Sequence, residues 1–368
     1  MQQLQAERDA LLKPLATVTG IVERRHTLPI LSNVLIRKTD DKLTFTGTDL
    51  EIQITSQQAE GFSGGEFAIT VAAKKISDIL RAIPDKTVVT LEETGGRLTV
   101  KAGKSRFQLQ TLPAADFPQL AVDNTLRATV KLPQGQLKAL LSRVQYAMAH
   151  QDIRYYLNGL LLVTEGNQLK LVATDGHRLA FASAELSTSF EKNEVILPRK
   201  TVLELYKALA DSDEEVTIDI AGNQVKFSFG AVVIHSKVVD GKFPDYNRVI
   251  PVANDKLLEI ERQLLLAAMQ RAAILSNEKF RGVRLVLTQG LLKIICNNNE
   301  QEEAQEELEV SYDNSPLDVG FNIQYLLDIL TNTSVETLHF SFGELGSSVL
   351  VTIPGNEHFK YVVMPMRI

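Results

Sequence analysis

Apolar residues along this chain repeat in three parts. Each third opens on a helical stripe: Leu11, Leu15, Val18 and Val22; then Leu137, Leu140, Leu141, Val144 and Met148; then Leu265, Ala268, Met269 and Ala272. Steps of three and four residues put each set on one face of a helix, the face that packs on a core. A second helix follows in each third with the same spacing: Ile76, Ile79, Leu80, Ile83; Val202, Leu205, Tyr206, Leu209; Ile323, Leu326, Leu327, Leu330. Each third closes on strand-like alternation, in Phe107 to Pro113, Ile234 to Asp240 and Phe359 to Pro365. Turn signals such as Thr94-Gly95-Gly96 and Ala221-Gly222-Asn223 divide the stretches between into short strands.

The matching helices and strands recur after 121 to 127 residues. Solenoid units run only ~20–50 residues, so the pattern predicts triplicated domains. The expected fold is α+β, with three repeated domains of two helices packed on antiparallel sheets. The domains are expected at 1–125, 126–252 and 253–368, with breaks at Val122-Asp123-Asn124 and Pro251-Val252-Ala253-Asn254.

Composition narrows the class. Of 368 residues, 44% are hydrophobic and 23% charged, which is ordinary for a globular chain. The opening to Arg8 is polar, and no apolar run approaches the ~18 residues of a membrane span. The single cysteine, Cys296, lies in the apolar run Leu291 to Ile295 and reads as a small core residue, with no disulfide or zinc cluster. A cytoplasmic protein without metal or cofactor is expected.

The net charge of −6 argues against nucleic acid unless positive charge is segregated. Lys74, Ser77 and Arg81 share one helix face, as do Lys200, Glu204 and Lys207 beside Arg199. Lys138, Ser142, Gln145 and Arg143 mark the first helix of the middle third, whereas the second helix of the last third has no Lys or Arg. Acids gather elsewhere, at Glu300, Glu302, Glu303, Glu306, Glu307 and Glu309, and at Asp211, Asp213, Glu214 and Glu215. Two readings stand: ordinary solvated helix faces, or a basic lining on an acidic body that holds DNA without adhering to it elsewhere.

Catalytic patterns are missing. There is no phosphate loop, no dinucleotide fingerprint and no nucleophile elbow, and the six histidines lack metal-ligand spacing. Ala173-Thr174-Asp175-Gly176-His177-Arg178-Leu179 holds an acid, a histidine and an arginine, the strongest enzyme-like stretch. Thr48-Asp49-Leu50-Glu51 occupies the matching place in the first third, which favours a strand–turn–strand corner. Arg154-Tyr155-Tyr156 reads either as core packing or as a loop that reaches nucleic acid. The end, Tyr361 to Ile368, is apolar, as a closing strand requires. Its two methionines around Pro365 suggest in addition an adaptable surface for peptides.

Taken in order, several segments resemble the β subunit of bacterial DNA polymerase III, the β sliding clamps. They are Arg25 to Asn33, Leu112 to Pro118, Arg154 to Gly159, Thr174 to Leu179, Gly241 to Tyr246, Phe280 to Arg284 and Tyr361 to Arg367. The resemblance covers the whole chain. It implies a DNA clamp fold and a ring-shaped head-to-tail homodimer whose helices line a hole for duplex DNA. It implies a processivity factor rather than an enzyme, with the DNA polymerase III core, the clamp loader, other polymerases and repair proteins as partners.

Carried over residue by residue, DNA contacts fall on Arg25, Lys74, Gln151, Tyr155 and Tyr156, with Lys200 as a helper. A cleft for the Leu and Phe anchors of extended partner peptides falls on Leu157, Thr174, Gly176, His177, Arg178, Leu179, Pro244, Arg248, Val249, Asn322, Tyr325, Ser348, Val362, Met364, Pro365 and Met366. At the seam, Lys75, Ile79, Phe107 and Leu109 of one copy would meet Ile274, Leu275, Glu302, Glu303 and Glu306 of the next. The sequence departs from the family at three points. Met1 to Gln5 lacks the usual apolar-aromatic opening of a first strand, Arg24-Arg25 gives two cations where one is usual, and Asn297-Asn298-Asn299 replaces a Pro-bearing turn. Two other readings make different predictions: a nucleic-acid enzyme would lose activity on His177→Ala, and a peptide-binding scaffold that does not encircle DNA would bind peptide with its seam broken.

Overall fold

The computed structural model describes residues 2–23, 28–121, 123 and 125–367. It contains six α-helices among these residues: α1 Arg8–Val18, α2 Ala73–Ala82, α3 Gln134–Val144, α4 Arg199–Ala208, α5 Arg262–Ala273 and α6 Ile323–Asn332. The apolar stripes become the buried faces, with Leu11, Leu15 and Val18 buried in α1 and Leu265, Ala268, Met269 and Ala272 in α5. The first two stripes outlast their helices, because α1 and α3 tighten into 3-10 turns at Thr19–Ile21 and Gln145–Ala147. In α6 the buried set is Ile323, Leu326, Ile329 and Leu330, so the core takes Ile329 where the spacing pointed to Leu327.

A second signature of the repeat lies at the start of each opening helix. The backbone N–H groups of Arg8, Gln134 and Arg262 donate to the carbonyls of Thr87, Glu214 and Glu336, all at 2.8–2.9 Å. The two arginines then reach the end of the other helix of their third. Arg8 Nε donates to Leu80 O (2.9 Å), and Arg262 donates to Val335 O and Leu330 O (both 2.8 Å). Leu80 O and Leu330 O are carbonyls that the last turn of a helix leaves without partners, and Val335 O lies in the segment just after α6. In the middle third, Gln134 Oε1 instead accepts from the N–H of Ala210 (3.1 Å).

The chain forms two compact units. The first comprises Met1–Gln136 and Leu203–Val238. Its thirteen-stranded sheet begins at Ala128–Pro133 and runs through Glu215–Ile220, Gln224–Phe229 and Val232–Lys237. It continues through Ile52–Gln58, Lys42–Thr48, Asn33–Thr39, Phe67–Ala72, Ser105–Leu112, Arg97–Ala102, Val88–Thr94, Gln2–Glu7 and Phe62–Gly64. Antiparallel pairing of Val232–Ser236 with Ile52–Ser56 joins the first and middle thirds edge to edge. The polar opening does form a strand. Leu4 and Ala6 alternate into the core while Gln2 to Glu7 pair with Val88 to Glu93, so two small or branched apolar residues suffice for a strand that the missing apolar-aromatic opening put in question.

The second unit comprises Leu137–Val202 and Val239–Ile368. Its six-stranded sheet runs Gly159–Thr174, Arg178–Pro198, Asn356–Val363, Val349–Ile353, Thr337–Phe342 and Lys256–Glu261. Its four-stranded sheet runs Glu303–Glu309, Leu291–Asn297, Gly282–Thr288 and Leu317–Asn322. Pairing of Arg178–Ala182 with Phe359–Val363 joins the middle and last thirds. Cys296 is buried in its strand, and burial pushes its thiol up to about 11. At pH 8 roughly one thiol in a thousand is ionised. A disulfide reagent is therefore expected to leave the folded chain unmodified and to titrate one thiol per chain in denaturant; rapid reaction of the folded chain would contradict this burial.

Candidate partner cleft and nucleic-acid interface

The site grows from a five-residue corner, Thr174 to Arg178. Thr174 Oγ1 donates to Arg178 O (2.6 Å) and accepts from Gly176 N–H (3.1 Å). Asp175 Oδ1 accepts from the N–H groups of His177 and Arg178 (2.9 and 3.0 Å). Residue 176 has φ +90°, a conformation that glycine adopts without strain. The corner Thr48 to Ile52 has the same bonds: Thr48 Oγ1 to Ile52 O (3.0 Å) and from Leu50 N–H (3.1 Å), and Asp49 Oδ1 from Glu51 and Ile52 N–H (both 2.9 Å). The Asp175 carboxylate is therefore engaged in holding a turn, as the repeat implied.

Arg178 leaves this corner inward, its side chain 9% exposed. It donates to Tyr146 O (2.6 Å), pairs with Asp175 (3.1 Å) and Asp328, and lies 4.5 Å from the centre of the Tyr325 ring. Burial opposes its charge, but Tyr361 and Asp328 hold its pKa above the ordinary value. Tyr361, raised by burial, donates its hydroxyl to Tyr325 O (2.9 Å). The cluster ties the corner to α6 and to the closing strand.

Against this support lies an apolar cavity of about 210 Å³. Ten of the sixteen cleft residues expected from the sequence line it: Leu157, Thr174, Gly176, His177, Arg178, Leu179, Pro244, Val249, Val362 and Met364. Its floor continues into a buried cluster that includes Leu179, Phe181, Phe243, Tyr246 and Val362. Met364 is placed by its N–H, which donates to His177 O (2.9 Å). The other six lie outside the lining. Arg248 pairs with Asp245 (3.1 Å), and Asn322 caps α6 through Gln324 N–H (2.9 Å). Tyr325 stacks on Arg178, and Ser348 O accepts from Asn254 (2.9 Å). Pro365 is half-buried, and Met366 N–H donates to Gly320 O (2.8 Å).

Four lining residues were not among the cleft residues read from the sequence: Arg154, Tyr156, Phe243 and Tyr246. Phe243 and Tyr246 flank Pro244 in a segment whose apolar spacing was a usable signal. Tyr156 was expected at DNA, and Arg154 belonged to a motif read either as core packing or as a loop reaching nucleic acid. Among the other DNA-contact expectations, Tyr155 is 58% exposed and Gln151 is exposed in a left-handed conformation. Lys74 is exposed and pairs with Asp78 (2.6 Å), and Lys200 is half-buried. Arg25 lies outside the described residues. Glu204 is not part of a solvated face: its side chain is 17% exposed and closes on Gly20, where a Cβ would come within 2.0 Å of Oε2.

The residues expected at a seam lie on two strands, Ser105–Leu112 and Glu303–Glu309, and on helix α2 and just after α5. Ser105–Leu112 pairs along its length with Arg97–Ala102, whereas on its other side only Leu112 and Thr111 meet Thr70 and Val71. Phe107 and Leu109 are half-buried there, with Lys75 exposed and Ile79 half-buried on α2. Glu303–Glu309 is the outer strand of the four-stranded sheet. Ile274 caps α5, which packs against this strand, and is 78% exposed, while Leu275 is half-buried. The acids here have partners within the chain: Glu306 pairs with Arg271 (2.5 Å), and Glu302 accepts from Asn298 (2.6 Å). Among the described residues no cluster of His, Cys, Asp or Glu is placed to hold a metal, and no helix is long and apolar enough to cross a membrane.

Comparison with known proteins decides the family. Three descriptions of the DNA polymerase III beta subunit match in order: the N-terminal domain at residues 2–121, the central domain at 131–245 and the C-terminal domain at 247–367. The beta sliding clamp of Pseudomonas aeruginosa is 46% identical over 363 residues, covering 98% of this chain and 99% of that protein. The chain belongs to the beta sliding clamp family. The clamp of Escherichia coli K12 is also 46% identical, over 362 residues, with 98% and 99% coverage. A crystal structure of the P. aeruginosa sliding clamp with a ligand superposes over all of both chains with a TM-score of 0.95 at 45% identity. A Caulobacter crescentus beta sliding clamp gives 0.95 at 38% identity, covering 100% of this chain and 99% of that one. As a beta sliding clamp, the chain has three successive clamp domains, and its role is that of a DNA sliding clamp in DNA replication.

Proposed function

We propose that two copies of this chain pair head to tail in a ring around duplex DNA and tether the replicative polymerase, the clamp loader, other polymerases and repair proteins by short peptides. On this reading the three domains meet near residues 125 and 252. Arg25, Lys74, Gln151, Tyr155, Tyr156 and Lys200 meet phosphates without reading sequence, which lets the ring slide. The protein performs no catalytic step, since the linkage is topological. The seam forms where the strand Ser105–Leu112, with Lys75 and Ile79, meets the strand Glu303–Glu309, with Ile274 and Leu275. A strand left largely unpaired on one side, as Ser105–Gln110 is, favours another strand.

The observation that carries the partner reading is the apolar cavity walled by ten residues named from the sequence. Such a cavity takes one or two apolar anchors while the remaining cleft residues fix register. The P. aeruginosa clamp has been solved bound to griselimycin, which gives a ready competitor. Met364 is 44% exposed and carries little of the fold. Met364→Ala is expected to weaken a labelled peptide with Leu and Phe anchors about tenfold with the dimer intact. Unchanged affinity, or binding that griselimycin leaves untouched, would count against the cavity.

A further inference from the structure

The loop 149–158 has two working sides. It is closed on itself by Ala149 N–H to Leu157 O (3.0 Å), Asp152 N–H to Asn158 Oδ1 and Asn158 Nδ2 to Asp152 O (both 2.9 Å). Its outer side carries Gln151, Ile153, which is 96% exposed, and Tyr155. Its inner side supplies Arg154, Tyr156 and Leu157 to the cavity wall. The Arg154 guanidinium is gripped by Asp152 (3.0 Å to Nε, 2.9 Å to Nη2) and spans to Asp175 O (3.3 Å). Gly176 is pressed against it, since a Cβ there would stand 3.0 Å from Arg154 Nη2.

We infer that Arg154 is a positioning residue that joins the loop to the corner bearing Thr174, His177 and Leu179, so that duplex DNA on the outer side and a peptide in the cavity strengthen each other. The inference rests on the DNA and peptide roles proposed above. DNA that holds the outer side of the loop also holds a wall of the cavity, and a peptide then meets a lower cost of fixing that wall. Linkage makes the effect reciprocal. The sequence left Arg154 open between core packing and a loop reaching nucleic acid; in the structure its guanidinium faces Asp152 and a backbone carbonyl.

The test measures affinity of the same labelled Leu-Phe peptide for free clamp and for clamp loaded on nicked circular DNA. The wild-type protein should bind it about fivefold more tightly when loaded, the low end of typical coupling between sites. Arg154→Ala and Asp152→Asn should bind it equally in both states, while Arg154→Lys, which keeps one donor head, should recover part of the difference. Asp152→Asn keeps the Arg154 side chain but releases its grip, and carries the test if Arg154→Ala lowers the melting temperature. Equal affinity in both states of the wild-type protein, or a difference that survives both variants, overturns the inference. Absence of peptide binding to free wild-type clamp overturns the cavity reading, and the inference falls with it.

Discussion

Replacing Ile274 and Leu275 together by alanine is expected to leave a monomer that binds the partner peptide as the parent does. Ile274 is 78% exposed in the single chain, far more than a branched apolar residue at a helix end needs to be. Losing most of both side chains from each of two seams removes about 6 kcal/mol of burial, roughly ten-thousand-fold in the dissociation constant. The acids near them are expected to contribute less to the proposed seam than their number suggests, because Glu306 is held by Arg271 and Glu302 by Asn298 within the chain. Sedimentation of the variant at micromolar concentration checks the expectation; a tight dimer would remove these residues from the seam.

Arg178→Met should be the most destabilising single change in the partner cleft. It leaves Asp175, Asp328 and the Tyr146 carbonyl without the guanidinium that now joins them. Breaking a buried ion pair from one side costs about 3–5 kcal/mol. Tyr361→Phe, which removes the hydroxyl donated to Tyr325 O, should cost about 1 kcal/mol and serves as the mild comparison. Urea unfolding checks both. Peptide affinity should fall with Arg178→Met because Thr174, His177 and Leu179 lose their anchor. Stability within 1 kcal/mol of the parent for Arg178→Met would show that the cluster is not the support described.

The repeat was legible because helix stripes and strand alternation are local patterns written three times. The corner at Thr174 was legible for the same reason: Thr48-Asp49 repeats its chemistry, and the structure repeats its hydrogen bonds. What stayed hidden was contact between distant segments. Nothing in the spacing of Arg8 or Arg262 says that they close the ends of α2 and α6, because those bonds span 68 to 73 residues. Glu204 looked like one more charge on a polar face until Gly20 was found against it. Arg154 and Tyr156 look the same in sequence whether they face DNA or a cavity, since a cation beside aromatics suits both. The strand at Gln2–Glu7 was masked by composition: Leu4 and Ala6 are enough for a strand that is paired on both sides, with Val88–Glu93 and with Phe62–Gly64.

The central claim is a topological hold on DNA, and retention on a circle tests it most directly. Clamp loaded by a matching loader onto nicked circular DNA is washed in moderate salt before and after a restriction enzyme cuts the circle once. Retention on the circle and loss on linearisation is the predicted result, since a closed ring slides off an end but not through a continuous duplex. Equal retention on both forms would contradict the account, because phosphate binding alone does not depend on ends.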